Sequence, residues 1–183
     1  LREAQNDAEE ALKVNPRDVS AMRLLARIYS RQIRTANNRV DDAMVRKTIE
    51  QYQKIVGIDP KDVDSWVMLG QLQAATRAGA DAEASYRKAL AIEEDNEDAL
   101  TGLALLLSEQ GKNDEAVRQY EIVSARYPGE EARCRFALLL ESMGQEARAQ
   151  ALFREILASV KGAPSYYRTR QREWARIAKQ HMK

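Results

Sequence analysis

The side chains best suited to chemistry are few and scattered. The chain carries one cysteine, Cys134, and one histidine, His181. A thiolate and an imidazole can run nucleophilic catalysis only when they lie within hydrogen-bond reach of one another and a third group orients the base. Nothing in the spacing of these two suggests that they meet. A single cysteine also excludes an internal disulfide and a Cys-rich metal site. His181 stands three residues from the end of the sequence, where a fraying tail is expected. Acid pairs recur at Glu9-Glu10, Glu93-Glu94 and Glu130-Glu131. They fall beside expected helix ends, where carboxylates read as solvated charges that complement helix dipoles. No Gly-rich phosphate loop is present. The expectation is therefore no catalytic set, no cofactor, no metal and no enzymatic activity, with Cys134 structural or incidental.

The elements that would position any site are helical. At 44% hydrophobic and 31% charged, the chain has apolar matter for a continuous core and charge for a polar surface. Its longest apolar runs, Leu103 to Leu107 and Phe136 to Leu140, are far short of a membrane span. It opens Leu1-Arg2-Glu3-Ala4, with no initiator Met, so a fragment of a longer protein is expected, and an upstream anchor or export signal could have been cut away. That leaves the compartment open between cytoplasm and periplasm. Spacings of three and four residues between apolar positions predict about ten helices, over 2–14, 18–34, 42–57, 62–77, 80–93, 96–110, 113–126, 130–142, 146–160 and 164–181. Asp18, Asp41, Asp62 and Ser165 are the expected cap acceptors. Pro16, Pro60 and Pro128 mark recurrent stops, because proline cannot continue a helix.

The same pattern returns at an interval of about 34 residues. Trp66, Leu69, Gly70, Ala82, Tyr86 and Ala89 set the phase. Leu100, Leu103, Ala104, Ala116, Tyr120 and Val123 repeat it, and Phe136, Ala137, Leu140, Ala149, Phe153 and Ile156 repeat it again. Upstream, Met22, Leu25, Ala26, Tyr29, Tyr52 and Ile55 make a copy lengthened by Gln32 to Asp41. Ala4, Ala8 and Ala11 fit a second helix without its first. This resembles the tetratricopeptide repeat family over Leu1 to about Gly162. The resemblance implies an all-α fold, a right-handed α-solenoid of stacked antiparallel helix pairs. One domain, 1–183, is expected: a half repeat at 1–16, repeats at 18–60, 61–95, 96–129 and 130–162, and a capping helix at 164–183. Small residues in the pairs Gly70/Ala82, Ala104/Ala116 and Ala137/Ala149 should let paired helices approach. Aromatics such as Tyr86 and Tyr120 should fill the gap against the next repeat, and Trp66 should be buried within its own. Gly111 and Gly144 should take left-handed turn positions. Gly79 falls two places later in its copy, so that turn should be reshaped.

The family resemblance further implies a non-catalytic protein-interaction scaffold that holds a peptide or helical segment in a groove lined by the first helix of each repeat. Carried over position by position, the groove takes Ser20, Arg23, Arg27, Ser30 and Arg31 from the first full repeat and Asp64, Val67, Gln71, Ala74 and Ala75 from the second. It takes Asp98, Thr101, Leu105, Ser108 and Glu109 from the third, and Glu131, Cys134, Leu138, Glu141 and Ser142 from the fourth. Its N-terminal end would be basic, its middle apolar through Val67, Leu105 and Leu138, and its far end acidic. The carboxylate clamp of some family members is missing, since Met68, Asp98 and Gly102 stand where three of its residues would be. Tails of the kind those members bind are therefore disfavoured.

Three edges complete the expectations. From Pro164 onward there are six basic residues and one acid. On one continuous helix Arg168, Arg172, Arg176, Lys179 and Lys183 form a basic stripe beside an apolar one of Tyr167, Gln171, Trp174, Ile177 or Ala178, and His181. The stripe could meet an acidic protein or anionic lipid, and nucleic acid is disfavoured because no recognition motif accompanies it. The insertion, with Arg34, Asn37, Asn38 and Arg39, is either a neutral loop or a contact arm. Ala4, Ala8, Ala11 and Leu12 should face an absent partner helix, which an upstream segment or a second copy of the chain would supply. A structural module acting through such self-association, in a longer membrane-tethered bacterial assembly factor, is the alternative function.

Overall fold

The computed structural model describes residues 2–34, 39–127 and 129–182. Eleven helices run through them: α1 Arg2–Val14, α2 Val19–Gln32, α3 Asp42–Ile58, α4 Val63–Ala75, α5 Gly79–Ile92, α6 Glu97–Glu109, α7 Asn113–Arg126, α8 Glu130–Ser142, α9 Glu146–Gly162, α10 Ser165–Arg170 and α11 Arg172–His181. Among the described residues the only strand-like pairing is one isolated antiparallel bridge, Arg34 to Val40. Pro128, Asn37, Asn38, Leu1 and Lys183, which figured in the expectations above, lie outside the described residues.

The chain divides into two compact units, 1–94 and 95–183. In the first, α2 pairs with α3 and α4 with α5, and α1 lies against α2. Asp18 caps α2 by accepting from the Ser20 and Ala21 amides, and Asp41 caps α3 through the Ala43 and Met44 amides. Asp62 accepts from Ser65 N at the head of α4. Each cap satisfies donors that the first turn of a helix leaves open. Met22, Ala26, Tyr52, Ile55, Val56 and Leu69 form one core, and Ala8, Ala21, Leu25, Ile28 and Tyr29 another. Ala4, Ala11 and Leu12 pack onto the second of these. Helix α2 therefore covers Ala8 and meets Ala11 and Leu12, while Ala4 stays only partly buried. The insertion is closed at its base, where the Asp41 amide donates to the Ile33 carbonyl at 2.7 Å.

Small residues sit where the repeat pattern requires them. Ala82, Ala104, Ala116, Ala137 and Ala149 are fully buried. Gly70 faces an aromatic ring: a Cβ built on it would lie 2.6 Å from Cε1 of Tyr86. Tyr86 therefore fills space within its own repeat, whereas Tyr120 stacks on Phe136 of the following one, with centroids 5.8 Å apart. Gly111 and Gly144 both adopt φ of +74°. The turn after α4 has the same form without a glycine. Arg77 takes φ +62°, and the Ala78 amide donates to Gln73 O at 2.8 Å, as Lys112 does to Leu107 O and Gln145 to Leu140 O. The turn is not reshaped; Gly79 simply begins α5.

In the second unit α6 pairs with α7 and α8 with α9, and α11 packs on both α8 and α9. Leu100, Leu103, Leu107, Tyr120, Val123, Leu140, Phe153 and Ile156 are among its largest buried side chains. The expected single helix over 164–181 is instead two, broken at Gln171 (φ −95°, ψ 7°). Ser165 does not cap α10: Pro164 holds that position, with no side-chain cap bond. His181 is no fraying tail. Its Nδ1 lies 2.6 Å from Glu141 Oε2, its ring sits 5.5 Å from that of Phe153, and its carbonyl accepts from Gln150 Nε2 at 2.8 Å.

Candidate functional site

The groove residues of the first unit lie on α2 and α4. Arg23, Arg27 and Arg31 are all exposed, but they are not equivalent. Arg23 donates through Nε to Asp62 Oδ2 at 2.9 Å, and that acid is buried. The pairing raises the Arg23 guanidinium above its ordinary value, through the hydrogen bond first, burial opposing it. Arg23 thus ties α2 to the head of α4. Arg27 and Arg31 flank a cleft of about 330 Å³ with Ala4, Leu24 and Ile28. Ser30 turns its hydroxyl back to the Ala26 carbonyl at 2.8 Å. On α4, Asp64 and Gln71 are exposed, but Val67 is buried. Val67 therefore drops out of any open apolar surface. Trp66 is only partly buried, with Nε1 donating to Pro60 O at 3.0 Å, which corrects the expectation of full burial.

In the second unit Leu105 and Leu138 are partly exposed and line one concavity of about 220 Å³ together with Ser108, Tyr120, Arg135, Leu139 and Ser142. Helices α6 and α8 supply its walls and Tyr120 of α7 closes it. Arg135 was missed by the sequence reasoning, which placed it outside the groove positions. It donates to Glu131 Oε1 at 3.0 Å and lies over the Trp174 ring, 5.1 Å from the centroid. Burial raises the Tyr120 phenol well above its ordinary range, with Arg135 opposing and Glu131 and Glu109 adding to the shift. Asp98 and Glu109 are exposed and Thr101 is half-buried. The concavity is thus apolar at its floor and carries Arg135, held by Glu131, at its rim. Ser108 and Ser142 are its neutral hydrogen-bonding groups.

The far end of the expected groove is occupied from within the chain. Cys134 is fully buried, its Sγ 3.8 Å from the Trp174 carbonyl, and burial pushes its thiol up to about 11. Glu141 is engaged by His181. Helix α11 therefore covers part of what the position-by-position transfer had assigned to a partner. Glu130 is also displaced from its expected role. Instead of a solvated charge it is fully buried, accepting from Ser159 Oγ at 2.6 Å and Tyr167 Oη at 3.0 Å. Arg133 Nη1 lies 3.4 Å from its other oxygen. Desolvation and then the bond to Glu130 raise the Tyr167 phenol. One carboxylate thereby joins α8, α9 and α10. The basic residues Arg168, Arg172, Arg176 and Lys179 are exposed as expected, but Arg168 belongs to α10 and the others to α11.

Among the described residues no group of three His, Cys, Asp or Glu side chains could hold a metal ion, and no helix is long and apolar enough to cross a membrane. The chain resembles known proteins along much of its length. It is 43% identical over 119 residues to cellulose synthase operon protein C of Xanthomonas axonopodis pv. citri, covering 65% of this chain and 7% of that protein. Against the protein of the same name from Pseudomonas fluorescens it is 30% identical over 138 residues, covering 69% and 10%. Against cytochrome c-type biogenesis protein CycH of Rhizobium meliloti it is 29% identical over 123 residues, covering 67% and 30%. The chain thus spans only a minor part of the length of these curated relatives. Among solved structures, MamA superimposes with a TM-score of 0.75 at 22% identity, covering 86% of each chain. YrrB, described as a TPR protein with an unusual peptide-binding site, does so at 0.72 and 17%, covering 98% of this chain and 83% of that one. Models of the tetratricopeptide repeat match residues 1–52 and 77–135, together more than half of the chain. With stacked helix pairs, buried small residues at the repeat positions and these matches, the chain belongs to the tetratricopeptide repeat family, whose members are generally non-catalytic scaffolds that bind proteins or peptides.

Proposed function

We propose that this chain is a protein-interaction scaffold that holds a partner segment on the α6–α8 face of its second unit. The observation that carries the reading is the concavity where Leu105 and Leu138 remain partly exposed beside Ser108 and Ser142. Apolar side chains left open in a concave surface with hydrogen-bonding groups at its edge suit an anchored peptide or helix. The nearby acids Glu109 and Glu131, whose charges reach Tyr120, favour a segment with basic residues beside its apolar anchor. A peptide array probed with the chain and with Leu105→Glu/Leu138→Glu tests this. Captured peptides should be enriched in an apolar residue flanked by Lys or Arg, and the double variant should bind them at least about tenfold more weakly. Undiminished binding by a folded double variant overturns the reading.

The relation to cellulose synthase operon protein C supports a more specific setting. We infer that the chain is one repeat segment of a longer protein that serves an assembly producing cellulose, binding another polypeptide of that assembly. Deleting the segment in its host should lower cellulose output. Unchanged cellulose together with impaired cytochrome c maturation would move the assignment to the second type of relative.

A further inference from the structure

We propose that Trp174 of α11 is a positioning residue for the α6–α8 concavity, a role that rests on the scaffold function above: it holds Arg135 at the rim in the pose that a bound segment meets. Among the described residues that line this concavity, Arg135 alone is charged. Its side chain is 30% exposed, and an arginine so placed ordinarily samples many rotamers that a partner must freeze on binding. Here two contacts fix it beforehand. Nε donates to Glu131 Oε1 at 3.0 Å, one turn back on α8. The guanidinium carbon lies 5.1 Å from the centroid of the Trp174 ring, within the range of a cation–π contact. Glu131 is a weak tether by itself, because an exposed i, i+4 ion pair is readily broken by water. Trp174 is a firm one, because its helix is clamped. The Trp174 carbonyl lies 3.8 Å from Cys134 Sγ, and His181 Nδ1 lies 2.6 Å from Glu141 Oε2. These contacts are seven residues apart on both helices, so α11 runs beside α8 for about two turns. Between them Ala178 is fully buried. The indole is thus a fixed platform. Held on it, the Arg135 charge stays beside Glu131 and leaves the floor between Leu105 and Leu138 open. Released, the guanidinium is free to swing over that floor and repel the basic residues of the segment.

Calorimetric titration of the whole chain with short synthetic peptides that place Leu, Ile, Met or Phe between lysines tests this. Trp174→Ala should weaken their binding at least about fivefold, although Trp174 does not line the concavity. Trp174→Phe, which keeps an aromatic face, should stay within about twofold of the wild type, whereas Trp174→Leu, which fills space without one, should lose as much as Trp174→Ala. In an Arg135→Gln background the Trp174→Ala loss should vanish, because the residue it acts through is gone. With Trp66→Phe, Trp174 is the remaining tryptophan, and peptide binding should shift its emission. Amide exchange in α11 follows whether the helix stays docked, and the contrast of Phe with Leu holds even where Trp174→Ala undocks it. Equal binding by the Phe and Leu variants, a Trp174→Ala loss that persists with Arg135→Gln, or an unshifted emission overturns the positioning role and leaves the concavity as a binding site. A wild type that binds none of these peptides, or binding indifferent to Leu105→Glu/Leu138→Glu, overturns both.

Discussion

Gly70→Ala isolates the close approach on which the repeat geometry depends. In a helix interior, replacing glycine by alanine ordinarily stabilises by about 1 kcal/mol, because the unfolded chain loses freedom and the backbone is better shielded. At Gly70 the added methyl would lie 2.6 and 2.7 Å from Cε1 and Cδ1 of Tyr86 and 2.9 Å from Cζ. Tyr86 is only 2% exposed, so its ring must move against packed neighbours rather than swing into water. Overpacking of this kind costs about 1–3 kcal/mol, enough to cancel the propensity gain and exceed it. The expected net effect is destabilisation by about 1 kcal/mol, or a fall of roughly 2–4 °C in melting temperature. Gly57, helical and with nothing within 4 Å of a built Cβ, is the control: Gly57→Ala should stabilise by up to about 1 kcal/mol. Urea titrations with linear extrapolation give both values. A cycle with Tyr86→Leu should shrink the penalty at Gly70 to less than about 0.5 kcal/mol, since the flat ring that the methyl meets is gone. Equal stabilisation by Gly70→Ala and Gly57→Ala would refute the claim that Tyr86 enforces the glycine.

Other expectations use the same measurements. Arg77→Gly should stabilise by about 0.5–1 kcal/mol, because a left-handed backbone is costly for a side chain with a Cβ; Gly111→Ala should destabilise by about 1 kcal/mol. Glu130→Ala should cost about 2–3 kcal/mol by removing the buried acceptor that Ser159 and Tyr167 share and should speed amide exchange in α10, with Glu130→Gln intermediate. For Cys134 the folded thiol is held protonated up to about 11. Its contribution is therefore complete below the ordinary thiol range and is lost as pH rises from about 9 to 11, where the unfolded thiol ionises first. Iodoacetamide should leave it unmodified at pH 8 in the folded chain and label it in urea, and rapid labelling without denaturant would contradict its burial.

Much of the fold was legible because one physical requirement recurs. Helices that nest need small residues at fixed intervals, and Ala82, Ala104, Ala116, Ala137 and Ala149 all sit buried where the 34-residue phase places them. The misreadings arise where a local rule was decided by a distant neighbour. A left-handed turn was tied to glycine, yet Arg77 adopts it because the amide of Ala78 closes the same bond to Gln73 O that the other repeats make. Glu130 looked solvated beside Glu131 at a helix start. It is buried because Ser159 of α9 and Tyr167 of α10 converge on it, and no pattern within α8 announces either. His181 looked free at the end of the sequence, but Glu141 and Phe153 hold it down.

The candidate site separates in the same way, by position within the repeat. Arg23, Val67, Thr101 and Cys134 are equivalent in phase, the fifth residue of each first helix. Arg23 is spent on Asp62, Val67 and Cys134 are buried, and Thr101 is half-buried. Arg27, Gln71, Leu105 and Leu138 are equivalent four residues later, and all four keep access to solvent. One helical turn therefore moves the side chain from the packing surface to the open one, a distinction invisible to a transfer that treats every groove position alike. There the first unit presents a cation and an amide and the second presents two leucines, so under the function proposed above a segment held on α6 and α8 should be recognised by its apolar anchor, and substitutions at Val67 or Cys134 should act on stability rather than on binding.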